Sequence, residues 1–288
     1  MAVLMTAPSV YAATPPPLGM ADSFSILSGT YSNTTSGTTI NGDLGYTTPP
    51  ATSPTVNGTT HVADATYNQA GIDQGTALSA LNSQPCTFTF APGAIDLASD
   101  TTHGVAGVYA PGVYCISGAA SIGGGGTITL TGSGTYIFRM TGALTTTANS
   151  VVAVAGGASA CNVWWTPGAA TTLGANSTFG GTDIDASGIT IGNSVIWTGR
   201  ALAFGGTVST DSDTISSSAC ATSSSTGTGT GTGTGTNSSQ GLSAVPKTPG
   251  LPNTGQSQPA HTSSIKYLAF IGIFSAGMML VRVVGKRA

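Results

Sequence analysis

The acidic residues are the first candidates for chemistry. All ten of them in this 288-residue chain are Asp. Asp183 and Asp185 are two positions apart and would share one side of a β-strand, as paired acids do in polysaccharide-cleaving enzymes. Their oxygens are also of the kind that binds Ca²⁺. No His lies near them, and Arg139 and Arg200 are the only Lys or Arg residues before the C-terminal tail. We therefore expect no catalytic residues and no metal site, and we interpret the acids as solvated surface residues.

The four cysteines, Cys86, Cys115, Cys161 and Cys220, are the next candidates. None belongs to a Cys-x-x-Cys pair, so a zinc centre is not expected. An even number of cysteines in a chain with export signals favours two disulfides, for which three pairings are possible. We favour Cys86 with Cys115 and Cys161 with Cys220, because each bond would close one section of the repeat region described below.

Charge excludes some classes of partner. Only 6% of the residues are charged, against roughly a quarter in ordinary soluble proteins. The acidic body argues against a nucleic-acid partner, because phosphate binding needs Lys and Arg. The glycine run 123–126 lacks the Lys and the following helix of a phosphate loop, and no cofactor is expected. Trp164, Trp165 and Trp197 could stack on sugars, but Trp197 and one of the adjacent pair should point into the core.

A repeated unit organises residues 152–215. An Asn-Ser step marks each restart, at 149–150, 176–177 and 193–194, with spacings of 27 and 17 residues. Within each unit, short runs of β-branched and small residues alternate with turn residues. Such a repeat predicts an irregular β-solenoid, in which each coil buries its apolar side chains against its neighbours.

Alternation along the predicted strands separates inward from outward residues. The inward set is Ile128, Leu130, Leu144, Thr146, Leu173, Ile189, Ile191, Val208 and Thr210. The outward set is Thr129, Thr145, Thr172, Thr190 and Ser209. Coils stacked in register would place these hydroxyls and methyls about 4.8 Å apart on a flat, uncharged ladder that could hold ordered water. The plainer alternative is that Thr simply suits exposed strand positions, and aspartates in the last coils would disturb a flat face.

One helix is predicted in the body, over residues 63–81. Its apolar stripe is interrupted once, by Gln74, and half of the stripe is Ala. A helix with so many small residues can lie close to another surface, and we expect it along the flank of the solenoid.

The ends of the chain have a different character. Residues 1–13 are similar to the second half of a secretory signal peptide, and the solenoid domain is placed at residues 18–220. Residues 221–250 are rich in Thr, Gly, Ser and Pro and predict a flexible stalk. Residues 267–284 form an apolar segment long enough for a transmembrane helix, and the basic residues 285–288 should stay cytoplasmic.

This tail resembles a sortase cell-wall sorting signal, in which an L-P-x-T-G motif precedes an apolar span and a basic end. The motif here is Leu251, Pro252, Asn253, Thr254 and Gly255. The resemblance implies cleavage between Thr254 and Gly255 and transfer of the Thr to a cell-wall acceptor. It implies sortase, the cell wall and the membrane as partners and an exported, cell-surface location. A simple transmembrane anchor is the alternative.

The body resembles the microbial ice-binding protein family over residues 18–216. The resemblance rests on six local patterns in order: Leu18-Gly19 before Phe24-Ser25-Ile26-Leu27, Ile40-Asn41-Gly42-Asp43-Leu44-Gly45, Ala110-Pro111-Gly112-Val113-Tyr114, Tyr136-Ile137-Phe138, Asn162-Val163-Trp164-Trp165 and Gly199-Arg200-Ala201-Leu202-Ala203. It implies a mainly β fold, a discontinuous right-handed parallel solenoid of about triangular section with one long helix alongside.

The same resemblance implies no enzymatic activity and adsorption to ice through one flat face, for which the outward Thr and Ser residues are the candidates. A monomeric body is expected. The alternative function is a non-enzymatic envelope adhesin or structural surface protein that binds glycan or cells, and a polysaccharide-active enzyme is the third class considered.

Overall fold

The computed structural model describes residues 12–217 and 220, all within one compact unit, Met1–Thr226. The described residues form a parallel sheet of twenty strands and one α-helix, α1 (Ala65–Asn82), with 3₁₀ turns at Gly19–Ser23 and Ala160–Asn162. In chain order the strands are β1 Phe24–Asn33, β2 Thr39–Asn41, β3 Asp43–Tyr46, β4 Thr55–Val56, β5 Thr60–Val62, β6 Phe88–Thr89, β7 Ile95–Asp96, β8 Val108–Tyr109, β9 Gly112–Ile116, β10 Ala120–Ile122, β11 Thr127–Thr131, β12 Tyr136–Met140, β13 Leu144–Thr146, β14 Val151–Ala155, β15 Val163–Thr166, β16 Thr171–Leu173, β17 Thr178–Ile184, β18 Ile189–Ile191, β19 Ile196–Thr210 and β20 Thr214–Ser216.

The strands stack in three parallel ladders around one interior. The first, which we call the covered face, runs β6–β9–β12–β15–β17–β19–β1–β3–β5. The second, the hydroxyl face, runs β7–β10–β13–β16–β18–β19–β1. The third, the β-branched face, runs β8–β11–β14–β17–β19–β20–β2–β4. Strands β1, β17 and β19 are long because each continues from one ladder into the next.

The order of coils in the stack is not the order of the chain. Strand β19 lies between β17 and β1, and β20 pairs with β2, so the N-terminal coil extends the stack beyond the C-terminal one. Helix α1 follows β5 at that end, and the chain resumes with β6 at the other end of the covered face. The helix is about 27 Å long and so returns the chain along most of the stack.

The helix prediction is confirmed, with bounds two residues later at its start and one at its end. The side chain of Asp64 accepts a hydrogen bond of 2.8 Å from the Tyr67 amide and so caps the N-terminus. Gln74 does not interrupt the buried stripe as the sequence suggested. Its side-chain oxygen accepts a hydrogen bond from the Phe204 amide, and the residue is buried with the rest of the stripe.

All nine residues predicted to point inward are buried. Trp165 and Trp197 lie inside the coil, as predicted for Trp197 and one of the adjacent pair, while Trp164 points outward beneath α1. The interior rings follow one another along the axis: Phe138 stacks on Trp165 at 4.5 Å, and Phe179 meets Trp197 edge to face at 4.9 Å, centroid to centroid. This continuous aromatic column fixes the rung positions from inside.

The Asn-Ser steps lie at a corner of the coil. In the third step the corner residue is the Ser rather than the Asn. Asn149 and Asn176 adopt positive φ where the hydroxyl face turns into the β-branched face, and the equivalent residues in the next coils are Ser194 and Ser212. Strand pairing advances by 18 residues from Thr178 to Ile196, rather than by the 17 that separate the Asn-Ser steps. The left-handed position is what repeats: Asn, which is enriched at positive φ, occupies it in two coils and Ser occupies it in the next two.

Both disulfides have the predicted pairing. Cys86 bonds to Cys115 and Cys161 bonds to Cys220. The first ties the segment after α1 to β9, and its sulfurs contact the guanidinium of Arg139, which also donates to the Asn82 and Gln84 carbonyls. The end of the helix is therefore fixed to the covered face.

The predicted signal segment 1–13 falls largely outside the described residues, and the stalk, sortase motif, apolar segment and basic tail fall wholly outside them. Within the described ranges, none of the helices combines the length and apolarity needed to span a bilayer.

Candidate functional site

Two of the three faces are open to solvent. Helix α1 packs its buried residues, among them Tyr67, Ala70 and Leu81, over the outward side chains of the covered face, such as Ile137 and Leu202. The covered face therefore has no accessible flat surface, and any broad contact of the solenoid wall must use the other two faces.

The hydroxyl face carries one outward side chain on each rung from β7 to β18, and a second one, Thr207 or Thr30, where β19 and β1 cross it. The row runs Asp96, Ser121, Thr145, Thr172, Thr190, Ser209 and Ser32, every neighbour paired in register. Its strands are mostly three residues long, so only the middle residue of each points outward. Thr145, Thr172 and Thr190 are exposed, and none of these three side chains forms a hydrogen bond among the described residues.

Glycines keep the edge of the hydroxyl face flat. A Cβ atom on Gly174 would lie 2.3 Å from the carbonyl carbon of Thr147 in the preceding coil. Only glycine allows so close an approach, and the coils can therefore turn the corner without a protruding side chain.

The β-branched face is wider, because two outward rows run along it. The first row is β-branched throughout: Thr127, Val151, Thr178, Ile196, Thr214, Thr39 and Thr55, with successive members paired in register. Ile196 is 59% exposed, a large fraction for an aliphatic side chain. The threonine hydroxyls of this row form no hydrogen bond within the described residues.

The second row of this face runs Thr129, Ala153, Gly180, Thr198, Ser216 and Asn41. It is interrupted between β14 and β17, which pair only at Val151 and Thr178. A shallow depression lined by Val154, Ala160 and Gly180 opens there. Further along, Asn41 donates a hydrogen bond of 2.9 Å to Ser216, which holds the row in place.

The structure brings together four of the five predicted outward residues and separates the fifth. Thr145, Thr172, Thr190 and Ser209 are consecutive rungs of the hydroxyl face. Thr129 pairs with Ala153 and lies on the β-branched face, because β11 follows the corner at which its coil leaves the hydroxyl face. The ladder of five therefore does not exist as one row.

Sequence reasoning missed the first row of the β-branched face. Its members from Thr127 to Thr214 each stand two positions after a left-handed residue, as Val151 follows Asn149 and Thr178 follows Asn176. This spacing is present in the sequence, but the Asn-Ser step identifies the corner and not the strand that follows it.

The interpretation of Asp183 and Asp185 as solvated surface acids is wrong. Both are buried, and Asp183 pairs with Trp165 and Ala201 at an inward position. Burial raises the pKa of Asp183 well above its usual range; the neighbouring Thr171 side chain opposes this, and the charge of Asp185 adds to it. Both Asp183 oxygens lack a partner among the described residues. These acids face the core and disturb neither open face.

Asp213 is also buried, and burial raises its pKa to about 6. Its carboxylate accepts hydrogen bonds of 2.7 Å from the amides of Val195 and Asp211, and so shapes the corner between the two open faces. Asp211 is half-buried at the same corner. Among residues 12–217 and 220, no three His, Cys, Asp or Glu side chains gather as metal ligands would.

Comparison with known proteins assigns the architecture to a family. The family model described as Ice-binding-like matches residues 26–216, which is most of the described solenoid. The chain belongs to the ice-binding-like family. An ice-binding protein from Nostoc sp. (strain HG1) is 33% identical over 210 residues, which cover 69% of this chain and 73% of that protein.

Solved structures of ice-binding proteins share the fold. One from an Antarctic biological consortium superposes with a TM-score of 0.63 at 27% identity, covering 74% of this chain and 96% of that chain. One from the Antarctic ascomycete Antarctomyces psychrotrophicus gives 0.58 at 29% identity, covering 70% and 98%. Each of these relatives is described as an ice-binding protein.

Proposed function

We propose that this protein adsorbs to ice through the β-branched face. The observation that carries the proposal is the unbroken, in-register row of seven β-branched residues from Thr127 to Thr55 on an uncovered surface. Membership of the ice-binding-like family supports the same partner.

The mechanism is geometric matching rather than catalysis. Neighbouring strands are about 4.8 Å apart, so successive side chains of the row have the same spacing. The close-packed interior of the solenoid keeps the strands in fixed positions. Each Thr offers a hydroxyl to an ordered water, worth about 0.5–1.5 kcal/mol net per hydrogen bond. The adjacent methyls present apolar surface that favours removal from liquid water. Many weak contacts acting together then hold the protein on the crystal.

Three features favour this face over the hydroxyl face as the main contact. Two outward rows run along it, whereas the hydroxyl face has a second outward side chain only on its β19 and β1 rungs. Its outward aliphatic residues are unusually exposed, with Ile196 at 59% and Val108 at 37%. Its two rows carry no charged side chain, whereas the hydroxyl face ends in Asp96 and borders Asp211.

A paired substitution tests the face. Thr178→Tyr with Thr214→Tyr places two bulky rings on neighbouring parts of the first row and should remove most of the thermal hysteresis and ice shaping of the full chain. Both sites are exposed, so the cost to the free energy of unfolding should stay within about 0.5 kcal/mol. The matched control is Thr76→Tyr with Ser79→Tyr on the exposed side of α1, which should keep parental activity.

Unchanged hysteresis in Thr178→Tyr with Thr214→Tyr, in protein that unfolds like the parent, would refute the choice of face. A parent chain without any hysteresis or ice shaping would refute the function, and would leave an envelope adhesin that binds glycan or cells as the alternative. Reducing-sugar release from polysaccharides would instead indicate an enzyme.

We also propose that the protein acts at the cell surface. The support is in the sequence: residues 1–13 are similar to a signal peptide, and the tail combines L-P-x-T-G, an apolar segment and basic residues. We further propose that the three ladders form a right-handed solenoid of triangular section, as the family resemblance implies. Thr254→Ala should move the protein from the cell-wall fraction to the membrane fraction; equal retention in the wall would contradict sortase anchoring.

A further inference from the structure

The Cys86–Cys115 disulfide lies beside an arginine whose charge no carboxylate neutralises. The guanidinium of Arg139 contacts both sulfurs, with Nη2 3.1 Å from Cys86 Sγ and 2.9 Å from Cys115 Sγ. Arg139 forms no ion pair within residues 12–217 and 220, whereas Arg200, the other arginine of this range, is paired with Asp22. A positive charge at this distance stabilises a thiolate more than a neutral disulfide, so it favours opening of the bond.

The two cysteines of this bond differ in their access to solvent. Cys86, in the segment after α1, is exposed, while Cys115 on β9 is only 8% exposed. Thiol–disulfide exchange begins when a thiolate attacks one sulfur and the other sulfur leaves with the electron pair of the broken bond. Cys86 is therefore the position open to attack, and Cys115 is the leaving group that Arg139 stabilises.

A cleft leads to this bond. It has a volume of about 590 Å³ and is lined by both cysteines, by Arg139 and by apolar side chains such as Leu78 and Met140. This volume is within the range of small-molecule sites. No Asp or Glu belongs to its lining among the described residues, so an anionic thiolate that enters it meets a positive charge and no repelling one.

We propose that Cys86–Cys115 is a thiol-exchange site, at which a small thiol bound in this cleft forms a mixed disulfide with Cys86. The thiol loses its proton to solvent, its thiolate forms a new bond to Cys86 Sγ, and the Cys86–Cys115 bond breaks. The electron pair of that bond stays on Cys115, whose thiolate pairs with Arg139. Attack of this thiolate on the mixed disulfide reverses the step and releases the thiol, so no further oxidant or reductant is needed.

The site is coupled to the end of helix α1. Arg139 Nη1 donates to the carbonyls of Asn82 and Gln84, and the Gln84 side chain exchanges hydrogen bonds of 2.9 and 2.8 Å with the backbone of Thr14. Exchange at Cys86 therefore removes the covalent link between this segment and β9 and leaves it held by noncovalent contacts. The cleft is separate from both open faces, so the inference does not depend on ice adsorption.

The test exposes the oxidised full chain to reduced glutathione at neutral pH and then traps free thiols with iodoacetamide. Peptide mapping by mass spectrometry should find glutathione on Cys86 and the alkyl group on Cys115. The Cys161–Cys220 bond of the same molecules should stay intact, and circular dichroism should show that the solenoid remains folded during the reaction.

Two substitutions separate the charge of Arg139 from its size. Arg139→Gln removes the charge and should slow adduct formation by about fivefold or more, which is the size expected of one charge-assisted hydrogen bond. Arg139→Lys keeps a cation and should retain more of the parental rate. The rates are compared in variants whose circular dichroism and unfolding midpoints show that they are folded.

Three results would overturn the inference. One is glutathione on Cys115 with the alkyl group on Cys86, because the exposed cysteine would then be the leaving group. Another is the absence of any adduct in folded protein, or the loss of both disulfides together, because exchange would then require unfolding. The third is a rate that Arg139→Gln leaves unchanged or raises, or that is equal in the Gln and Lys variants, because the charge would then not stabilise the leaving thiolate.

Discussion

Replacing Asp183 with Asn should make the protein more stable at neutral pH. Asp183 is fully buried inside the coil, beside Trp165 and Ala201, and neither carboxylate oxygen has a partner among the described residues. Burial raises its pKa well above the usual range. An unfolded chain has no such constraint, so its Asp183 ionises near the ordinary value of about 3.9.

The sign and size of the effect follow from this difference. A carboxyl whose folded-state pKa is raised gives its full stability below the unfolded pKa and loses it as pH rises toward the folded pKa. Across that interval the free energy of unfolding falls by about 1.4 kcal/mol for each pH unit. Asn has nearly the same shape and no proton to lose, so the variant should lack this slope and exceed the parent by an amount that grows with pH.

Urea unfolding at a series of pH values between about 4 and 7 measures the slope directly. Asp64→Asn is the matched control, because hydrogen bonds from the Tyr67 amide and His61 lower the pKa of Asp64. The stability that Asp64 contributes is therefore lost as the pH falls, which is the opposite direction from Asp183. A parental slope in Asp183→Asn, or a variant less stable than the parent at pH 7, would show that Asp183 is ionised and compensated in the folded protein.

Two further predictions concern how the coils are fixed, and urea unfolding tests both. Cys86→Ser with Cys115→Ser frees the end of α1 from the covered face and should cost about 2–4 kcal/mol of unfolding free energy while leaving ice shaping intact; loss of ice shaping in folded protein would contradict the assignment of the contact to the open faces. Gly174→Ala should cost about 1–3 kcal/mol, because its Cβ would meet the Thr147 backbone. Gly75→Ala, in an open position on α1, should instead stabilise by about 0.4–1 kcal/mol, and a similar gain at Gly174 would show that the corner is not closely packed.

Local periodicity determined much of this protein from sequence alone. Alternation separated the two sides of each strand, because successive residues point in opposite directions, and the apolar residues then indicated which side is buried. The helix was predicted over residues 63–81 from its apolar stripe, close to the observed Ala65–Asn82. The family resemblance was equally local, since its short patterns lie within single strands and turns.

Only the tertiary structure decided which strands are neighbours. Thr129 has the same alternation as Thr145, yet the two lie on different faces, because a ladder depends on where each coil turns rather than on the pattern inside a strand. The N-terminal coil stacks on the C-terminal one because α1 returns the chain along the covered face, and no local signal reports such a rearrangement.

Asp183 and Asp185 show the same limit most clearly. The sequence placed both on one side of a strand, but not which side faces the interior. In strand β17, Asp183 pairs with Trp165 of β15 and with Ala201 of β19. This register places the side of the strand that carries Asp183 toward the interior. Alternation is a property of one strand, whereas inside and outside are properties of the closed coil, so the choice between them appears only when the coils stack.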